Sequence, residues 1–95
     1  MRYLFLLNPT AGKRDCTAEL APAIQAAAQR AGIPPEKRKV VVTQYAGHAR
    51  ELAAEAAHTA QADGEPVRIW TAGGDGTFME AMTGVQGFVN AAVGC

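Results

Sequence analysis

The chain has 95 residues, of which 48% are hydrophobic and 19% charged, and this composition is typical of one globular domain or of part of one. Nine basic side chains balance nine acidic ones, so no overall charge attracts the protein to nucleic acid or to an anionic membrane, and any anion binding must depend on local geometry. The two cysteines, Cys16 and Cys95, stand far apart in the sequence and do not indicate a metal knuckle.

The apolar segment at the start of the chain is too short for a signal peptide. It runs from Tyr3 to Leu7 and is broken at once by Asn8 and Pro9, whereas a signal peptide needs a longer apolar region and a cleavage site of small residues. A continuous apolar run of this length predicts a strand covered on both faces. No stretch of the sequence approaches the length of a membrane span. We therefore expect a cytoplasmic protein, and we expect any membrane contact to be peripheral.

Helix-like and strand-like patterns alternate along the next part of the chain. A helix is predicted over Thr17 to Ala31, although Pro22 fits poorly inside it and suggests an irregular or late first turn. Gly32 ends this helix. A second strand, with three consecutive valines, is predicted over Lys39 to Thr43. A second helix, with an apolar stripe of alanines, is predicted over His48 to Gln61.

The alternation continues to the end of the sequence. A third strand is predicted over Val67 to Ala72, and a glycine-rich turn follows it directly. Thr77 and Glu80 have the spacing of a capping box, which predicts that the third helix begins at Thr77. Asn90 to Cys95 has the pattern of the start of a fourth strand. The expected buried face of the third helix consists of Phe78, Met82 and Val85.

The predicted order of elements is therefore βαβαβαβ. Such alternation predicts an α/β fold in three layers, with a parallel sheet between helices on both of its faces. Ligands of an open parallel sheet bind at the carboxyl ends of its strands. Loops follow three predicted strand ends, over residues 8–12, 43–47 and 73–77, and all carry small, polar or glycine residues. We expect these loops to meet at one site.

The turn Gly73-Gly74-Asp75-Gly76-Thr77 is the strongest candidate for phosphate binding. Its glycines allow the main chain to approach a ligand without interference from a Cβ atom. Because the turn runs straight into a helix, its N–H groups and the positive end of the helix dipole can point at phosphate oxygens. It is neither a Walker A loop nor a Gly-x-Gly-x-x-Gly fingerprint. The alternative is a tight strand-to-helix turn that serves packing alone.

Asp75 makes the chemistry of this turn more specific. A carboxylate next to phosphates repels them unless its charge is compensated. A bridging Mg²⁺, or hydrogen bonds from the loop N–H groups to the carboxylate, would supply that compensation. A helix-capping aspartate is the plainer interpretation, and it is compatible with the functional one.

The loop Asn8-Pro9-Thr10-Ala11-Gly12 is a second candidate, because its proline fixes the turn and its glycine allows close approach. Lys13 and Arg14 follow it and can balance phosphate charge. A common turn without function is the alternative. Thr43 and His48 are weaker candidates, since a threonine that ends a strand and a histidine in a first helical turn are usually structural.

Taken together, three motifs resemble the catalytic domain of diacylglycerol kinases, a family that includes bacterial soluble lipid kinases and the sphingosine and ceramide kinases. The motifs are Leu6-Leu7-Asn8-Pro9 with Gly12-Lys13, Thr43 with Gly47-His48-Ala49, and Gly73-Gly74-Asp75-Gly76-Thr77 with Glu80. They occur in the family's order and spacing, and they span nearly the whole chain. The glycine-rich motif by itself is less specific, because NAD kinases and phosphofructokinases share it more distantly.

The resemblance implies phosphoryl transfer from ATP, with Mg²⁺, to a hydroxyl group of a lipid such as diacylglycerol. It implies that Asp75 is catalytic and binds the metal. The ATP site that it implies is lined by Asn8, Pro9, Thr10, Ala11, Gly12, Thr43, Gly73, Gly74, Asp75, Gly76, Thr77, Phe78, Met79 and Glu80.

The resemblance also implies a nucleotide-binding domain of the NAD-kinase and phosphofructokinase type, followed by a β-rich domain. In the family, the fourth strand leads into a Pro-x-Gly-Thr/Ser-x-Asn-Asp segment and then into that second domain. Residues 1–95 contain neither. We therefore expect the chain to be the ATP-binding part of such a kinase, ending in its fourth strand and inactive alone.

Two other functions stay open. One is an NAD-kinase-like enzyme, although the Asn-Pro-x-x-Gly and Thr-x-x-x-Gly-His-Ala motifs argue against it. The other is a nucleotide-binding module without catalysis, which the short length favours.

Overall fold

A computed structural model describes residues 1–8, 17–72 and 75–94 of the chain. The predicted alternation of strands and helices is confirmed, and β4 lies within the segment expected to begin a fourth strand. In chain order the elements are β1 (Arg2–Leu7), α1 (Thr17–Arg30), a 3₁₀ turn (Pro35–Lys37), β2 (Arg38–Val42), α2 (His48–Ala62), β3 (Val67–Ala72), α3 (Asp75–Gly84) and β4 (Ala91–Gly94).

The four strands form one parallel sheet in the order β2-β1-β3-β4. From β1 the chain moves to β2 at one edge of the sheet. It then crosses back over β1 to β3 and continues in that second direction to β4 at the other edge. This reversal places a topological switch point between β1 and β3, where ligands of open α/β sheets bind. Leu7 is in register with both Val42 and Ala72, so β1, β2 and β3 end at the same level.

Helices cover both faces of the sheet, because right-handed crossovers that run in opposite directions place their helices on opposite sides. The central core lies under α2 and α3 and contains Leu4 and Leu6 of β1 with Ile69 of β3. Leu7, the next residue along β1, is also buried and faces the other side. There α1 packs against β2 and buries Ala28. The structure is thus the expected three-layer α/β fold.

The closest helix contact in the core is between α2 and α3. The alanine stripe of α2 is buried as predicted, with Ala49 1% exposed and Ala53, Ala57 and Ala60 fully buried. Gly84 of α3 faces this stripe, and a Cβ atom placed on it would clash with the carbonyl oxygen of Arg50 and lie 3.2 Å from the Cβ of Ala53. Small residues on both helices therefore allow the two backbones to approach closely.

The prediction that the third helix begins at Thr77 is wrong, because α3 begins at Asp75. Thr77 thus lies inside the first turn, where it is only 3% exposed, and Ala81 one turn later is fully buried. The expected buried face is also wrong in part, because Met82 is 43% exposed, while Phe78 and Val85 are partly buried. Thr77 and Ala81 are four positions apart, so they lie on one face of α3, and this face is turned toward the core.

The helix α1 starts at Thr17, as expected, and continues through Pro22. Because proline has no N–H group, the carbonyl of Ala18 lacks its usual helical donor. The side chain of Pro22 is exposed, so its ring costs no core packing. Among the helices within the described ranges, none has both the length and the apolar character needed to cross a membrane.

An ion-pair cluster closes the amino-terminal edge of the sheet, opposite the predicted site. Glu65 accepts hydrogen bonds from Lys37 and from Arg2, the latter over 2.7 Å, and Arg2 also pairs with Asp63. The hydrogen bonds from Lys37 and Arg2 lower the pKa of Glu65, and those that Arg2 donates to Asp63 and Glu65 raise the pKa of Arg2. Asn90 joins this edge to α2 by donating to the carbonyls of Ala57 and Glu65.

Candidate functional site

The carboxyl ends of the three neighbouring strands are joined by backbone hydrogen bonds. The N–H of Asn8 donates to the carbonyl of Ala72 over 2.9 Å, and the N–H of Thr43 donates to the carbonyl of Leu7 over 2.8 Å. The ladder therefore extends one residue beyond β1 and β2. This brings Asn8 and Thr43, two of the predicted site residues, to one edge of the sheet.

A side-chain hydrogen bond connects the first predicted loop to the third. Nδ2 of Asn8 donates to Oγ1 of Thr77 over 3.1 Å. Asn8 follows β1, and Thr77 lies in the first turn of the helix that follows β3, so the bond spans the switch point between β1 and β3. Because Thr77 is only 3% exposed, its hydroxyl contributes to the architecture of this edge rather than to the open surface.

Thr43 is held against the end of β1. Its hydroxyl donates to the carbonyl of Leu7 over 3.3 Å, and the residue is 9% exposed. The hydroxyl oxygen keeps lone pairs that can accept a hydrogen bond from a ligand. Thr43, which the resemblance assigns to the ATP site, therefore lies at the carboxyl edge of the sheet with its hydroxyl oxygen able to accept a further hydrogen bond.

The turn between β2 and α2 is held by three side chains. The N–H of Gln44 donates to Nδ1 of His48 over 2.9 Å, and the ring of Tyr45 stacks on the imidazole with 4.5 Å between centroids and 18° between planes. The hydroxyl of Tyr45 donates to Glu51, and this hydrogen bond raises the pKa of Tyr45. Gly47 has a φ of 88°, which a residue with a side chain rarely adopts, and it precedes α2 directly.

The first turn of α3 leaves room for a ligand. The first N–H groups of any helix lack partners within the helix, and the dipole places positive potential there. Apart from its chain neighbours and the backbone of its own helix, no atom of the described residues lies within 4 Å of a Cβ atom added to Gly76. A phosphate group can therefore approach the backbone at Gly76, which fits the nucleotide that the sequence implies.

Two predicted residues of α3 line an open cleft. The cleft has a volume of about 490 Å³ and lies between the start of α2 and residues 79–83 of α3. Met79, which is 60% exposed, and Glu80 form the α3 side. Phe78, in the same turn, is partly buried. The remaining lining residues are Ala46, Gly47, Arg50, Glu51 and Thr83.

The predicted ATP site did not include these other lining residues. Arg50 and Glu51 are exposed, as expected for the polar face of α2, yet their place one turn after Gly47 also brings them to the cleft. The sequence did not single them out, because an exposed charged pair on a helix looks the same in sequence whether it faces bulk water or a cleft. Their charges are opposite, so the cleft wall combines a guanidinium with carboxylates.

A further cavity, of about 430 Å³, lies between β2 and α2 and contains none of the predicted site residues. Leu52 and Val41 are among its apolar lining residues, and Arg2 and Lys37 are among its charged ones. Both of these cations pair with Glu65.

Several predicted site residues lie outside the described residues, namely Pro9, Thr10, Ala11, Gly12, Gly73 and Gly74. The backbone of Asp75 begins α3, but its side chain, and with it the predicted catalytic and metal-binding role, lies outside the description as well. Within residues 1–8, 17–72 and 75–94, no group of three or more histidine, cysteine, aspartate or glutamate side chains is placed to hold a metal ion.

Comparison with known protein families identifies the family of this chain. A model of the diacylglycerol kinase catalytic domain matches residues 2–95. The chain belongs to the diacylglycerol kinase catalytic domain family. A comparison with curated proteins found no significant match.

Membership in the diacylglycerol kinase family confirms the resemblance drawn from the three motifs, and the parallel α/β sheet agrees with it. It places the protein in a lipid-kinase-like family, whose general chemistry is transfer of a phosphoryl group. Hydrogen bonds bring one described residue of each motif, namely Asn8, Thr43 and Thr77, to a single sheet edge.

Proposed function

We propose that this chain binds Mg-ATP at the carboxyl edge of its sheet and provides the nucleotide site of a lipid kinase. The reaction is transfer of the γ-phosphoryl group of ATP to a lipid hydroxyl, with diacylglycerol as the acceptor to test first. The observation that supports the proposal best is the hydrogen bond from Asn8 to Thr77, because it joins two motif loops across the switch point of the sheet.

Three described residues of the site have specific roles in this proposal. The backbone at Gly76, in the first turn of α3, receives phosphate oxygens, since no described residue beyond its own helix and chain neighbours lies within 4 Å of the place where a side chain would stand. Thr43 accepts a hydrogen bond from the nucleotide while its hydroxyl hydrogen stays on Leu7. Arg50, on the wall of the cleft, supplies positive charge close to the anionic ligand.

Asp75 is the residue that we propose for metal binding. Bound Mg²⁺ neutralises charge on the phosphates and on the transferring group, which is the main source of catalysis in phosphoryl transfer. A carboxylate at the start of α3 suits this role, because carboxylate oxygens are preferred ligands of Mg²⁺. The helix dipole at the same place favours the negative charge of Asp75 and of the phosphates alike.

Nucleotide binding is tested with the 95-residue chain itself. Isothermal titration calorimetry with Mg-ATP should give saturable binding with one site per chain, and Mg-GTP serves as the comparison for base selectivity. The absence of binding to either nucleotide, by a chain whose circular dichroism and melting curve show that it is folded, would reject the proposal.

Phosphoryl transfer is tested separately with the complete gene product. Radiolabelled ATP is supplied with diacylglycerol, sphingosine or phosphatidylglycerol in mixed micelles, and with NAD in a parallel assay. Label in a lipid supports the lipid kinase, whereas label in NAD alone would assign the NAD-kinase-like alternative. Nucleotide binding without transfer to any acceptor would favour a non-catalytic module.

A further inference from the structure

The turn between β2 and α2 depends on contacts made by side chains of α2. Gln44, Tyr45 and Ala46 are all exposed, so this turn gains little order from burial. It also contains the left-handed Gly47, whose residue type adds conformational freedom. The order of the turn must therefore come mainly from its hydrogen bonds and ring contacts.

His48 is at the centre of those contacts. Its Nδ1 accepts a hydrogen bond from the backbone N–H of Gln44 over 2.9 Å, and its backbone N–H donates to the carbonyl of Tyr45 over 3.1 Å. The imidazole ring also stacks against the ring of Tyr45. Tyr45 is in turn held by its hydroxyl, which donates to Glu51 one turn along α2. Both ends of the turn are thus fixed to the first turn of α2.

The turn forms one wall of the cleft that we assign to the nucleotide. Ala46 and Gly47 line it from this side, and Met79 and Glu80 line it from α3. Thr43, the residue before Gln44, is held separately by β1 through its bonds to the carbonyl of Leu7. Loss of the contact to Gln44 would therefore free the turn that lines the cleft and leave Thr43 held at the end of β1.

We propose that His48 is a positioning residue for nucleotide binding, and this inference rests on the proposed function. By accepting the N–H of Gln44, His48 holds residues 44–47 in the conformation in which Ala46 and Gly47 line the cleft opposite α3. Without this hydrogen bond, the turn must become ordered when the nucleotide binds. The entropic cost of that ordering lowers the affinity for the nucleotide.

The test compares His48→Ala with His48→Asn in the 95-residue chain. Asparagine keeps an acceptor oxygen close to the position of Nδ1, whereas alanine removes it. The other histidine, His58, supplies a matched control, because it lies further along α2 and its ring contacts Phe88 instead. Mg-ATP affinity is measured by titration calorimetry, the melting temperature by circular dichroism, and the exchange rate of the Gln44 amide by NMR.

His48→Ala should weaken Mg-ATP binding about tenfold, the equivalent of one lost hydrogen bond plus the ordering of a short turn. It should also speed exchange of the Gln44 amide and leave the melting temperature within a few degrees of the wild type. His48→Asn should restore much of the affinity and the amide protection, and His58→Ala should change neither.

Unchanged affinity in His48→Ala, together with normal binding by the wild type, would overturn this inference and leave the proposed function standing. A fall in affinity that His48→Asn does not reverse would likewise count against the role of the acceptor. Failure of the wild-type chain to bind Mg-ATP would overturn the proposed function and this inference with it.

Discussion

Asn8 and Thr77 are 69 positions apart in the chain, yet Nδ2 of Asn8 donates to Oγ1 of Thr77 over 3.1 Å. The bond connects the residue after β1 with the first turn of α3. It crosses the one place in the sheet where the direction of strand addition reverses. Two motifs that are separate in the sequence therefore form parts of one site.

Thr77→Val tests how much this hydrogen bond contributes to the stability of the fold. Valine has nearly the same shape but no hydroxyl, so the amide of Asn8 loses a partner in a partly buried position. We expect the free energy of unfolding to fall by about 1 kcal/mol, with larger values if the amide finds no water. Urea denaturation measures the change. Thr77→Ser, which keeps the hydroxyl, should lose clearly less, and equal losses in both variants would show that the bond contributes little.

Gly76→Ala separates binding from folding. In the described part of the chain, beyond its own helix and chain neighbours, a Cβ atom at this position meets nothing within 4 Å, and alanine is a better helix former than glycine. We therefore expect the melting temperature to stay the same or to rise. Mg-ATP affinity should fall about tenfold or more, because the methyl group occupies the space through which a phosphate approaches the backbone. Calorimetry that gives wild-type affinity would place the phosphates elsewhere.

Gly84→Ala should have the opposite profile. Its Cβ atom would clash with the carbonyl oxygen of Arg50, which belongs to the backbone of α2 and cannot move without the helix. We expect a loss of about 1–3 kcal/mol in unfolding free energy, as is usual for overpacking in a core. Urea denaturation of Gly84→Ala and Gly76→Ala side by side gives the comparison. Similar stabilities for the two variants would mean that α3 can shift away from α2 at little cost.

The ion-pair cluster around Glu65 predicts a dependence of stability on pH. Hydrogen bonds from Lys37 and Arg2 hold the folded-state pKa of Glu65 below its ordinary value. The stabilisation is therefore complete above the unfolded-state pKa of about 4.3 and is lost as the pH falls through the folded-state pKa. Melting temperatures measured from about pH 6 down to about pH 3 should fall less steeply for Glu65→Gln than for the wild type.

Glu55 provides the control for this experiment, because it is an exposed carboxylate of α2 without an ion pair among the described residues. Glu55→Gln should keep the acid sensitivity of the wild type. If Glu65→Gln keeps it too, other carboxylates account for the loss of stability at low pH.

Asp75→Asn tests the proposed metal ligand in the complete protein. We expect it to abolish Mg-ATP-dependent lipid phosphorylation, because the amide cannot replace the charge that Mg²⁺ requires. The fold should stay intact, as judged by the melting temperature. Asp63→Asn, at the opposite edge of the sheet beside Arg2, should retain activity. Wild-type turnover by Asp75→Asn would remove Asp75 from the mechanism.

Much of the fold was predictable because its signals are local. The apolar run of β1, the valines of β2 and the alanine stripe of α2 each lie within a few consecutive residues, and the observed elements agree with them. The start of α3 was not predictable from spacing alone. A threonine with a glutamate three residues later has the pattern of a cap, but Thr77 is instead buried in the first turn of a helix that begins at Asp75.

The candidate site shows the same division. The glycine-rich turn, Asn8 and Thr43 were identifiable, because turn residues after strands carry a chemical pattern of their own. Arg50 and Glu51 were not, since an exposed charged pair on a helix has the same appearance in sequence whether it faces bulk water or a cleft.

By itself, the sequence determined the succession of strands and helices, the three motif loops and the family, because each is encoded in short stretches of neighbouring residues. The tertiary structure alone decided the strand order β2-β1-β3-β4, the bond between Asn8 and Thr77 and the close approach of Gly84 to Arg50. These depend on which distant segments the chain brings together when it buries its apolar faces. A local pattern shows that a face must be covered, but only the packed fold determines what covers it.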